Sequence, residues 1–142
     1  MVSAMLHPAL GRIADRVGGR RLMIAGLAGI AAMLPVLSLI SNFTNAAIIY
    51  SAFTVPIVMM VTPSLAYMAD ATSASGVRSF GVAYGVYNFA WALGLLVGPS
   101  IGGAAYERAG FAPLMWAWAA TLLPITLLLA RSGVSPTAPA QV

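Results

Sequence analysis

The chain reads as an all-α membrane protein, with four full transmembrane helices preceded by the end of a fifth. Of its 142 residues, 61% are hydrophobic and 7% charged, and the mean hydropathy is +0.92. A soluble domain carries about 25% charged residues. Charge-free runs cover 22–69, 79–106 and 109–130, and about 20 apolar residues are enough to cross the hydrocarbon core. The first run holds two spans and the others one each. Every span must be helical, because lipid cannot satisfy an exposed backbone amide or carbonyl.

Residues 1–10 are too short to span and read as the last turns of a helix. They lack a basic start, and their apolar stretch stops at His7-Pro8, so a secretory signal is not expected. Residues 11–21, GRIADRVGGRR, read as a polar loop with four arginines. The spans are expected near 22–41, 46–69, 80–105 and 112–130. Turns at 41–45 and 106–110 and a loop at 70–79 separate them. Asn42-Phe43-Thr44 matches a glycosylation sequon, but a short turn against the membrane is a poor acceptor site. Residues 131–142 are small, polar and proline-containing, and are expected to form a disordered tail.

Alternating crossings put Arg12, Arg16, Arg20, Arg21, Arg78 and Arg131 on one side and only Arg108 on the other. By the positive-inside tendency the first side, with the C-terminus, is cytoplasmic, and the plasma (inner) membrane is the expected location. Trp116 and Trp118 then sit near the outer end of the last span, as an aromatic belt would. The net charge of +4 sets topology here, so no nucleic-acid partner is expected.

Soluble enzyme chemistry finds no constellation in the chain. There is no cysteine, the sole histidine is His7, and the acids are Asp15, Asp70 and Glu107. Neither a Ser/His/acid set nor a metal cluster can be assembled, and no cofactor is expected. His7, beside Pro8, is most simply a polar helix-end residue.

Two constellations stand out. Gly11, Asp15, Arg16, Gly18, Arg20 and Arg21 form a charged latch between two membrane helices. Gly11 and Gly18 permit tight turns, and Asp15 can accept hydrogen bonds from arginine or from helix amides. The competing reading is that these arginines only fix topology. Along 85–103, Gly94, Gly98 and Gly102 recur every four residues, flanked by Gly85 and Gly103, with Pro99 beside Gly98. A stripe of small residues lets a neighbouring helix approach closely in lipid. Pro99 lacks an amide hydrogen and clashes with the preceding turn, so it is expected to bend the helix. Pro56 and Pro63 in one span suggest either a broken, cavity-lining helix or ordinary kinks.

The first constellation resembles the motif A loop of the major facilitator superfamily, with Gly19 standing where a basic residue is common. The second resembles motif C of that family's proton-coupled antiporters, the drug-efflux branch above all. The stretch TPSLAYMAD followed by FGVAYGVYNFAWALGLLVGPSIGG is similar to the tenth and eleventh helices of multidrug and vesicular-amine-like transporters. The resemblance implies part of a twelve-helix fold: the tail of an eighth helix plus helices nine to twelve. It further implies an alternating-access transporter performing proton-coupled efflux of small molecules or drugs. Its implied partners are the bilayer, an amino-terminal half and a small-molecule substrate.

Asn88 stands where vesicular amine carriers have a carboxylate, and an amide cannot carry the proton. Asn88, Tyr84, Tyr87 and Trp91 are candidate cavity residues, set against interhelical bonding by Asn88 and packing by the aromatics. Asp70 reads as a loop or latch residue, and Met59 and Met60 as lipid or core contacts. Three alternatives remain. They are a facilitator-family solute importer, a small four-helix multidrug transporter (disfavoured because 22–41 holds no acid), and a non-transporting protein that binds a partner through its glycine stripes.

Overall fold

The computed structural model describes residues 2–74 and 80–132. Five helices fill them: α1 (Val2–Val17), α2 (Gly19–Leu37), α3 (Phe43–Ala74), α4 (Phe80–Ala109) and α5 (Phe111–Arg131). Four are long and apolar enough to cross a membrane: Gly19–Leu37, Phe43–Ala69, Phe80–Ala109 and Phe111–Arg131. No strand occurs among the described residues. At 1.5 Å per residue, α2 extends roughly 28 Å and α3 roughly 48 Å. The former matches a hydrocarbon core of about 30 Å, and the latter must reach beyond it.

The helix ends differ from the sequence expectation, and each difference has a local cause. The expected loop at 11–21 is almost entirely helical, because α1 runs on to Val17 and α2 starts at Gly19. A lone glycine such as Gly11 costs a helix only about 1 kcal/mol, so α1 continues through it. The break falls on Gly18 alone, at φ 94°, a conformation that L-residues rarely adopt. The expected turn at 106–110 likewise shrinks to Gly110, at φ 81°.

The first full span stops at Leu37, short of 41. Ser38 closes it, its backbone amide and its hydroxyl both donating to the Pro35 carbonyl. α3 begins at Phe43, ahead of the expected 46, because Asn42 Oδ1 accepts from the Asn45 amide at 2.8 Å. That is an N-cap bond in the first turn. The Asn42 side chain of the sequon is therefore engaged in holding a helix end.

α3 is continuous through Pro56 and Pro63, and α4 through Pro99. The broken-helix alternative for α3 is thus set aside. Several hydroxyls inside the spans bond their own helix, whereas Thr62 Oγ1 is buried without a partner among the described residues. Thr54 Oγ1 donates to Tyr50 O at 2.9 Å, and Thr126 Oγ1 to Leu122 O at 2.7 Å. Such back-bonding lets a polar side chain sit in an apolar span without an orphaned donor.

α2 is the centre of the assembly, packed against α3 and α5, and α1 lies against α3. Helices consecutive in sequence run antiparallel, so the ends of α1, α3 and α5 meet the starts of α2 and α4. The small core draws on Leu22, Ala31 and Leu37 of α2, Leu10 of α1, Val58 of α3 and Ala119 of α5. α4 touches α3 and α5 only sparingly and buries no residue. Arg78, residues 133–142 of the expected tail and the Asp70 side chain lie outside the described set.

Candidate functional site

The antiparallel arrangement gathers Arg12, Arg16, Arg20, Arg21 and Arg131 at one end and leaves Arg108 at the other. At the arginine-rich end, the break at Gly18 folds α2 back beside α1. A cavity of about 410 Å³ opens there against α3, lined by Asp15, Gly18, Arg20, Arg21, Pro63 and Tyr67 among others. Of the six latch residues, four therefore share one cavity. Gly11 lies within α1 with nothing near it, and Arg16 is exposed and does not line the cavity.

Arg20 makes the long-range polar contacts of this cluster. Its Nη2 donates to the backbone oxygens of Leu129 and Ser132, with Ser132 Oγ at 3.4 Å. The last carbonyls of a helix have no partner within it, and a cation there also opposes the negative end of the helix dipole. Arg20 thus caps the C-terminal end of α5 from the start of α2, across 109 positions of sequence. The side chains of Asp15, Arg16 and Arg21 are exposed and make no hydrogen bond or ion pair among the described residues. No side chain caps the start of α2.

Beside the polar cavity lies an apolar slot of about 240 Å³ between α2, α3 and α5. Met23, Ile24, Leu27, Met60 and Leu129 line it, and Arg20 and Tyr67 form walls of both spaces. Met60, half-buried, thus faces a cleft between helices.

The glycine run of α4 makes no close helix crossing among the described residues, although Gly102 lines a shallow groove shared with Leu114, Ala117 and Trp118 of α5. A Cβ added at Gly85, Gly94, Gly98, Gly102 or Gly103 finds nothing within 4 Å. Phe89, Leu96 and Ile101 of the same helix are 67%, 74% and 59% exposed. The close helix crossing is elsewhere. A Cβ at Gly26 would lie 2.6 Å from Met60 N and 2.8 Å from Pro56 O, and one at Gly29 would lie 2.7 Å from Pro56 Cβ. Gly19 approaches Pro63 in the same way, at 3.3 Å. The sequence reading took Gly19 only as a departure from the resembled motif and passed over Gly26 and Gly29, although intervals of seven and three place the three near one face of α2.

Of the candidate cavity residues, Tyr87 alone hydrogen-bonds another helix among the described residues. Its hydroxyl is 3.0 Å from Ser64 Oγ of α3, and Ser64 also donates to Val61 O at 2.7 Å. Asn88 Nδ2 donates to Tyr84 O at 2.9 Å within α4, so its amide is spent on its own helix. Tyr84 and Trp91 lie on the open surface of α4, about half exposed at 52% and 51%. No group of three metal-ligating side chains occurs among the described residues.

Comparison with known families finds a match over residues 1–141 to the family described as the Major Facilitator Superfamily. No curated protein and no solved structure matches the chain.

Proposed function

The chain belongs to the major facilitator superfamily, a family of membrane transporters, and from that premise we propose that it serves in proton-coupled efflux of small molecules by alternating access. The family match across 1–141 carries the transporter reading. The glycine run Gly85, Gly94, Gly98, Pro99, Gly102 and Gly103 is what favours the drug:proton antiporter branch over others.

In this reading the arginine-rich end faces the cytoplasm and the protein resides in the plasma membrane. The open α4, whose 89–99 stretch is wholly apolar, seats a further set of transporter helices, an amino-terminal half, on its glycine stripe. Rocking of the two bundles about that contact alternates access to a central site. Asp15, Arg16, Gly18, Arg20 and Arg21 act as the latch that holds one state. Tyr84, Asn88 and Trp91 line the substrate path, and Tyr87 ties the path to α3. Because no acid lies within 22–69 or 79–106, the proton-carrying carboxylate belongs to the other helices.

The same absence of a buried acid favours a second reading, a facilitator-type importer in which the glycine run serves only for packing. Ionisable groups at mid-membrane usually mark ion coupling. Cells that express the protein distinguish the two. Efflux predicts lower accumulation of a lipophilic cation such as ethidium, restored by a protonophore. Unchanged ethidium accumulation together with protonophore-insensitive uptake of a neutral solute overturns efflux in favour of import.

A further inference from the structure

We propose that the arginine-rich end carries a binding site for an anionic phospholipid. Its phosphate occupies the polar cavity at the α1–α2 junction, and part of one acyl chain occupies the adjoining slot. The polar space measures about 410 Å³ and the apolar one about 240 Å³, and Arg20 and Tyr67 line both. A charged compartment sharing walls with an apolar one has the form of an amphiphile.

The charges suit a phosphate. Arg20 and Arg21 line the polar space against the single carboxylate of Asp15, and Arg16 sits next to it on α1. Arg21 has no partner among the described residues. Arg20 commits only Nη2 to the end of α5, and a guanidinium has five N–H donors in all. Basic pockets between membrane helices take anionic head groups.

The slot argues for a lipid over a soluble anion or a transported solute. Apart from Arg20 and Tyr67, apolar side chains line it: Met23, Ile24, Leu27, Met60 and Leu129. Its 240 Å³ falls below the roughly 300–1,000 Å³ usual for small-molecule sites. An acyl segment needs no polar partner and fits such a space. A lipid seated there contacts α2, α3 and α5 at once, and reinforces the tether from Arg20 to α5. The inference needs the chain to lie in a bilayer and does not depend on what, if anything, is transported.

The test uses the protein at its natural length, purified in detergent, with binding read by native mass spectrometry. The probes are phosphatidylglycerol, phosphatidylcholine with the same chains, glycerol 3-phosphate and inorganic phosphate. Phosphatidylglycerol is expected to bind saturably and the other three to bind far less. Arg21→Gln, at an exposed residue whose side chain has no partner among the described residues, is expected to weaken phosphatidylglycerol about fivefold and to leave the weaker phosphatidylcholine binding unchanged. Arg20→Gln is expected to weaken it too, with some loss of stability from the α5 cap. Binding of glycerol 3-phosphate or inorganic phosphate as tight as the lipid's overturns the proposal in favour of a simple anion site. Equal binding of the two lipids, or an Arg21→Gln protein that binds like the parent, reduces it to ordinary annular contact.

Discussion

A methyl group added at Gly26 lands on backbone, which makes Gly26→Ala the sharpest probe of how this bundle is held together. The new Cβ meets Met60 N at 2.6 Å, Pro56 O at 2.8 Å and the carbonyl carbon of Met59 at 3.0 Å. None of these is the movable tip of a side chain. Ordinary contact starts near 3.4 Å, so α3 must retreat by about 0.8 Å along its crossing with α2. Overpacking of this kind costs about 1–3 kcal/mol. The alanine recovers about 1 kcal/mol of helix propensity, which leaves a net loss of up to about 2 kcal/mol. Gly94→Ala is the control: nothing lies within 4 Å of its Cβ, so only the propensity gain operates. SDS titration of the purified chain, followed by circular dichroism, reads both. Gly26→Ala is expected to unfold at a lower SDS fraction and Gly94→Ala at the same or a higher one. Equal behaviour of the two variants would refute the claim that the α2–α3 crossing is the tight one. In a complete transporter the control changes meaning. If another bundle seats on the α4 stripe, Gly94→Ala becomes destabilising there.

Removal of the α5 cap by Arg20→Ala is expected to cost about 1–2 kcal/mol, a charge-assisted hydrogen bond moderated by exposure. Amide exchange in the last turn of α5 should speed up, and exchange unchanged there would show that the cap holds nothing. Gly18→Ala forces an L-residue to φ 94° and should destabilise by about 1–3 kcal/mol. Gly11→Ala, in a helical and open position, should be neutral or mildly stabilising, so thermal melts that rank the two the other way would contradict the single-residue break. Tyr87→Phe deletes the 3.0 Å clip to Ser64 while Ser64 keeps its bond to Val61 O. The expected loss is about 0.6 kcal/mol, the average for interhelical bonds in membranes. A loss several times larger in the same SDS titration would mean that the pair supports more than one contact.

Much of the architecture was legible because the bilayer imposes it. Runs without charge had to be helices, and three of them, the first long enough for two spans, gave four long apolar helices. Helix ends were less legible. They depend on single bonds such as Asn42 Oδ1 to Asn45 N and Ser38 to Pro35 O, and hydropathy is blind to those. The loop expected at 11–21 shows the same limit, because polarity marks where a helix leaves the lipid and not where it ends. Arg20 stood among the expected latch residues, yet its partners at Leu129 and Ser132 lie at the far end of the chain, and no local pattern points to them.

The sequence by itself determined that the chain crosses a membrane several times as helices, that its arginines collect at one end, and which family it belongs to. Each follows from residue chemistry taken one segment at a time. Tertiary structure decided which face of each helix meets a neighbour. Lipid tails are as apolar as leucine, so no hydrophobic gradient tells an inward face from an outward one. Contact is settled by steric fit between distant segments. That fit placed Gly26 and Gly29 of α2 against Pro56 of α3, and left the more conspicuous glycines of α4 facing open space.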